Sequence, residues 1–220
     1  MSTIRRRSLL YAANAVPEGW YKPADTPNGV FACIYKNNQI YAIESSVYTA
    51  NKASLTDYLM GVAVVTANTR IVIRATLVDE RQKRWDYDGT GGLISGVTTT
   101  TSSSSAQNDY KGKSNSAAAI AALGNKAGAA YTCTINTFLN GDTGYLPSAG
   151  QMKVIYDNKT AIDNLLTAMG GTNLRTSYYW TSTQANASNA WRIRLYNGVF
   201  SSVPKTTLVY YLPIIDYPEL

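Results

Sequence analysis

The 220-residue chain contains no histidine. That absence removes the commonest general base, the usual partner of a serine or cysteine nucleophile and the commonest zinc ligand together. Most hydrolytic mechanisms go with it, and no enzymatic activity is expected. Cysteine is nearly as scarce, since only Cys33 and Cys133 occur, far apart in the chain. They exclude a CxxC redox motif, a cysteine-rich metal site and a disulfide-dense scaffold, and leave open one disulfide or two buried thiols. Charged residues make up only 15% of the chain, so solubility rests largely on 18 Ser, 24 Thr and 17 Asn, a surface suited to β-structure and loops. The formal charge is +6, but Arg5, Arg6 and Arg7 supply half of it. With no Lys/Arg clusters interleaved with aromatics, no nucleic-acid partner is expected. No apolar run approaches the roughly 18 residues of a membrane span. The basic start is followed by too short an apolar run for a signal peptide, so neither membrane insertion nor export by the general pathway is expected.

What is present is 45% hydrophobic residues, enough for a real core, and 17 Tyr against 3 Phe. Tyrosine joins apolar area to a polar tip and is enriched where proteins touch partners, although it also fills strands. Residues 1–16 combine the triple arginine with no periodicity and read as an arm, ending at Pro17 and Gly19. Val30–Tyr35, a turn at Asn37-Asn38 and Gln39–Ile43 carry a hairpin signal. Gly61–Val65 and Arg70–Ala75 add strands, and a small β meander over 28–85 is the simplest reading. From Asp86 to 113 the text is Gly-, Thr- and Ser-rich and predicts a long surface loop.

Helical signals resume at Ser114, an N-cap candidate before an Ala-rich run that stops at Gly124. Ser148 and Gln151 have capping-box spacing, with Met152, Ile155 and Tyr156 on one face behind them. A second helix with the face Ile162, Leu165, Leu166 and Met169 ends at Gly170-Gly171. Strands are predicted over 177–182, 190–196 with a turn at Asn197-Gly198, and 208–215. In the middle one, alternation puts Trp191, Ile193 and Leu195 on one face and Arg192, Arg194 and Tyr196 on the other. Two guanidinium forks and a phenol are side chains favoured at binding hot spots.

The order and spacing of Gly144–Met152, Gly170-Gly171, Tyr179–Gln184, Asn189-Ala190-Trp191 and Leu212–Ile215 resemble the C-type-lectin-fold proteins of gut bacteria and their phages. That group includes the variable proteins of diversity-generating retroelements, is similar to phage tail-tip adhesins and shares its fold with formylglycine-generating enzymes. The resemblance covers roughly 28–217, since Gly61–Val65 and Trp85 also fit it. In the family, solvent-facing positions of the last third are diversified at adenine-rich codons. Carried onto the matching segment 185–209, this implies ligand-facing Ala185, Asn186, Ser188, Arg192, Arg194, Tyr196, Val199, Ser201, Val203, Thr206 and Thr207. All are reachable from an Asn codon by changing its first two bases. Lys205 is not reachable when the third base is a pyrimidine, and is either fixed or counts against the diversified reading.

The expected fold class is therefore α+β, a C-type-lectin-like domain over 17–220 with two or three short helices and antiparallel strands, preceded by the 1–16 arm. Its helices and ligand-facing strands fall within 114–217. The resemblance implies a non-catalytic receptor-binding protein with a variable face, of the phage tail-fibre or adhesin type and located in a virion if phage-encoded. Its partner would be a cell-surface protein or glycan, with other virion proteins engaged through the arm. The alternative is a structural virion or assembly component. No cofactor or metal is expected: the Glu-Pro-Asn or Gln-Pro-Asp and Trp-Asn-Asp elements of calcium-dependent lectins are absent, and Asp86-Tyr87-Asp88-Gly89 alone offers too few ligands. The cysteine pair of the enzymatic branch is absent as well.

Overall fold

The computed structural model describes residues 16–76 and 82–219; the arm at 1–16 lies, but for its last residue, outside them. Its local grammar follows the chain closely at the first hairpin. Strands β2 (Gly29–Lys36) and β3 (Gln39–Ile43) pair antiparallel, Lys36 opposite Gln39. The two turn residues, Asn37 and Asn38, both take positive φ, 52° and 59°, as a tight primed hairpin turn requires and as Asn tolerates.

After β3 the chain does not meander. Helix α1 (Ser45–Leu55) carries it over to the far side of β2, where β4 (Leu59–Val65) pairs and is followed by β5 (Arg70–Arg74). With the short β1 (Trp20–Tyr21) at one edge and the late β9 (Ile214–Asp216) at the other, the six-stranded order is β1-β3-β2-β4-β5-β9. The meander reading is thus corrected: α1 buries Tyr48 and Leu55 on the sheet, and that burial fixes the crossover. Gly61 sits where the β2–β4 register shifts, and a Cβ there would lie 1.9 Å from the Ile73 carbonyl oxygen, so only glycine fits.

A second, three-stranded antiparallel sheet is formed by β6 (Tyr178–Gln184), β7 (Asn189–Arg194) and β8 (Val199–Pro204), in that order. Between the sheets lie helices α5 (Ala149–Asp157) and α6 (Lys159–Met169). The central core joins Ile34, Val62 and Ile73 of the large sheet to Met152, Ile155, Ile162 and Leu166 of the helices and to Tyr179, Ile193 and Leu195 of the small sheet. The capping box forms as its spacing predicts, with Gln151 Oε1 accepting from Ser148 N–H at 3.0 Å, and Gly170 closes α6 in the left-handed conformation. The protein is accordingly mixed α+β, with two antiparallel sheets and several short helices.

Two expectations fail between 86 and 123. The stretch read as a surface loop contains a short helix α2 (Ser103–Ala106) and buries Asp86, Ile94, Val97, Ala106 and Asp109. With α3 (Gly112–Leu123) and α4 (Gly128–Thr134) it builds a second core around Trp85, Trp180, Leu146 and Tyr211. Helix α3 begins at Gly112, ahead of the proposed Ser114 cap; the Ser114 hydroxyl donates to Lys111 O instead. The helix stops at Gly124 as read.

Both cysteines are free thiols, each fully buried in a different cluster, Cys33 beside Phe31 and Met60, Cys133 beside Trp85 and Ala130.

Candidate ligand face

The small sheet has two unlike faces, and hairpin register assigns them. Ile193 of β7 stands opposite Tyr179 of β6 and Phe200 of β8, all directed to the interior. The neighbouring positions therefore point outward: Arg194 opposite Tyr178 and Val199, Arg192 opposite Trp180 and Ser201, Ala190 opposite Val203. At the Ala190 end this outer face is covered by the second core, where Trp180 is fully buried. At the other end nothing covers it among the described residues, and Tyr178, Arg192, Arg194, Val199 and Ser201 form a continuous strip reaching solvent.

The two arginines are held against tyrosine. The Arg192 guanidinium lies 3.8 Å from the Tyr178 ring centre and donates from Nε to Ser201 Oγ at 3.2 Å. Arg194 lies between two rings, 5.6 Å from Tyr178 and 5.3 Å from Tyr196. Stacking of this kind orders a guanidinium without using its hydrogen-bonding fork. Neither arginine is paired with a carboxylate among the described residues, where the ion pairs are Lys113–Asp216, Lys126–Asp88, Lys153–Asp157 and Lys159–Asp163. Among the described residues the strip is thus a patch of uncompensated positive charge with aromatic walls.

The positions implied by the resemblance fall into three groups. Arg192, Arg194, Tyr196, Val199, Ser201 and Val203 share the outer face or its rim, and Tyr196 is 69% exposed. Asn186, Ser188, Thr206 and Thr207 cluster at the opposite end of the sheet, joined by Lys205 N–H donating to Ser188 O. Asn186 there has a local duty, its Oδ1 accepting from Ser188 and Asn189 N–H. Ala185 is a correction: it is buried at 2% exposure against Ala106, Ala149 and Trp191, so it packs the interior and cannot face a ligand.

Lys205 lies inside this segment and faces inward. It is 1% exposed, with Nζ donating to Gly92 O at 2.6 Å and Gln184 Oε1 at 2.9 Å over the Trp85 ring. Burial lowers its pKa to about 8, opposed by Asp86. A side chain so committed is a fixed element of the scaffold. Gln184 in turn exchanges hydrogen bonds with Ile94, while Thr98 O and Thr100 N–H pair with its backbone, so the 86–113 stretch covers the edge of β6. The indoles of Trp85, Trp180 and Trp191 donate to Thr181 O, Lys83 O and Thr100 O, which ties residues 83–100 to the sheet.

Tyr178, Arg175 and Tyr210 complete the exposed end and are absent from the set implied by the resemblance. With Leu174, Thr176, Ser177 and Arg194 they line a groove of about 520 Å³. Tyr210 is only half-buried because it forms one wall of that groove. Asp86, the core of the acidic tetrapeptide, is turned inward and accepts from Gly91 N–H at 2.8 Å. No group of three His, Cys, Asp or Glu side chains among the described residues could hold a metal ion. No protein-family model matches the chain, and no curated protein matches it.

Proposed function

We propose that this protein is a non-catalytic receptor-binding protein with a C-type-lectin-like fold, an adhesin that presents the outer face of its small sheet to a cell-surface receptor. The observation that carries the reading is the strip of Tyr178, Arg192, Arg194 and Tyr196. Its residues are hot-spot types, held by stacking, without compensating acids among the described residues, on a sheet whose reverse side is packed core. The division between an exposed strip and a buried support also favours diversification. Changes at Arg194, Tyr196 or Val199 would leave Trp191, Ile193 and Leu195 in place on the packed side. Fold does not dictate function, so the claim rests on that face.

Replacing Arg192, Arg194 and Tyr196 together by alanine is expected to abolish binding to target cells while the melting temperature holds. Unchanged binding by the folded triple variant overturns the reading. The Arg5-Arg6-Arg7 arm favours a second role in virion assembly. Deleting residues 1–15 separates the two, because an assembly component loses incorporation whereas an adhesin domain still binds its cells.

A further inference from the structure

The small sheet ends at β8, and among the described residues no other strand pairs with that edge. The ladder shows which backbone groups are left over. Lys205 N–H donates to Ser188 O at 2.9 Å, so directly opposed residues are hydrogen-bonded at that end, and in an antiparallel pair such bonds recur at every second position. Val199, Ser201 and Val203 therefore turn their backbone groups toward β7, whereas Phe200, Ser202 and Pro204 turn theirs outward. Pro204 brings no N–H, and its carbonyl already accepts from Thr207 N–H at 2.9 Å. What stays open is the N–H and C=O of Phe200 and Ser202. Exposed edges are ordinarily blunted with lysine, proline, a bulge or an inward charge. From Val199 to Val203, β8 has no charged residue and no proline, and its register with β7 is unbroken.

We infer that β8 pairs antiparallel with β8 of a second copy of this chain, in a two-fold dimer that joins the two small sheets into one. The edge is electrostatically complementary to itself in a single register. With Ser201 on the axis, Phe200 of each copy stands opposite Ser202 of the other, and each of those pairs exchanges both N–H···O=C bonds, so every open donor meets an acceptor. With Ser202 on the axis instead, Phe200 meets Pro204, which has no N–H to return. With Phe200 there, Ser202 meets Gly198, whose N–H already donates to Arg194 O at 2.8 Å. The side chains agree with the first register, because the outer face reads the same in both directions: Ser201 meets Ser201, and the exposed Val199 gains Val203 as an apolar cross-strand neighbour. An unrelated peptide strand would share the backbone bonds without that match. The arginines do not oppose the pairing, since the two β7 strands lie three strand spacings apart, about 14 Å, beyond the screening length of about 8 Å at physiological ionic strength. Edges are joined and both outer faces stay open, so the inference is independent of the receptor-binding reading.

The test is sedimentation equilibrium of the full chain from about 10 μM to about 1 mM, a range set by the small size of the contact. A monomer–dimer equilibrium is expected. Ser202→Pro deletes an outward N–H without touching the β7 ladder, and is expected to weaken the dimer at least about tenfold. Ser201→Cys supplies a second measurement that does not depend on how well the proline variant folds. On the axis its side chain meets its own copy across a pair with Cβ atoms about 5 Å apart, near enough for a disulfide after slight adjustment. Cys33 and Cys133 are buried and do not compete for it. Mild oxidation is expected to cross-link Ser201→Cys at least about tenfold faster than Ser188→Cys, which is exposed but off the edge. A chain that stays monomeric throughout, a folded Ser202→Pro variant that dimerises as the parent does, or equal cross-linking of the two cysteine variants overturns the inference.

Discussion

Lys205 shows how much a single buried side chain fixes. Its amine has a pKa near 8 in the folded protein and its ordinary value of 10.5 when unfolded. Between those values the unfolded chain holds more protons, so this residue makes stability rise with pH from about 8 to about 10.5, and the burial penalty is fully present below 8. Tyr179 and Tyr217, held up at about 12 by burial, act in the opposite sense above about 10, where the folded form keeps protons that the unfolded form loses. Lys205→Met removes the lysine contribution alone. The stability difference between parent and variant in urea titrations is expected to move in the parent's favour from about pH 8 to about pH 10. A flat difference would mean that the amine titrates normally. The neighbouring strand supplies the contrast between support and surface. Trp191→Ala removes a buried indole and is expected to cost about 3–5 kcal/mol. Arg194→Ser and Tyr196→Asp are expected to change stability by about 0.5 kcal/mol or less while altering what is bound. Thermal melts decide it, and comparable losses in all three would make the strip packed core or an assembly interface.

At the scale of elements, the features legible in the sequence are those with short-range causes. The Asn37-Asn38 turn, the Ser148/Gln151 capping box, the Gly170 stop and the alternation of β7 each depend on residues within a few positions. Asn38→Val forces a β-branched side chain to φ near 59° and is expected to cost about 1–2 kcal/mol by denaturant unfolding, whereas Asn38→Gly is tolerated. The unread elements have long-range causes. Strand β8 carries Ser201 and Ser202 where a half-buried strand ordinarily alternates, so its pattern is faint. The 86–113 stretch looks like loop because Thr and Ser dominate it, yet a few buried anchors hold it. Asp109 is the chief one, accepting from Lys111 N–H, Asn115 Nδ2 and Thr183 Oγ1. Asp109→Ala is expected to lower unfolding free energy by about 2–3 kcal/mol. Pairing of Tyr178 with Arg194 was hidden by the irregularity between Trp180 and Gln184, which moves the β6–β7 register by two positions. An even shift preserves which face a side chain occupies, so the outward set could be read and the partners that stack on it could not.

For the molecule as a whole, the two thiols are separated by the architecture, since Cys33 lies on one side of the large sheet and Cys133 in the core beside the small one. Burial pushes both thiols up, leaving little thiolate to react. Thiol titration is expected to find two reactive groups per chain only after denaturation, and melting is expected to be indifferent to reductant.

The placement of β9 has a consequence in time. It covers the outer edge of β5, Ile71 against Asp216 and Ile73 against Ile214, although synthesis separates the two by most of the chain. At about 5–20 residues per second, β5 leaves the ribosome roughly 7–30 s before its partner strand exists. Until then the large sheet ends in a bare row of backbone donors and acceptors, an edge open to any neighbouring nascent chain. Closure of that sheet is therefore a late event that waits on translation, and crowding of ribosomes on one message would limit the yield of this protein before its thermodynamic stability did.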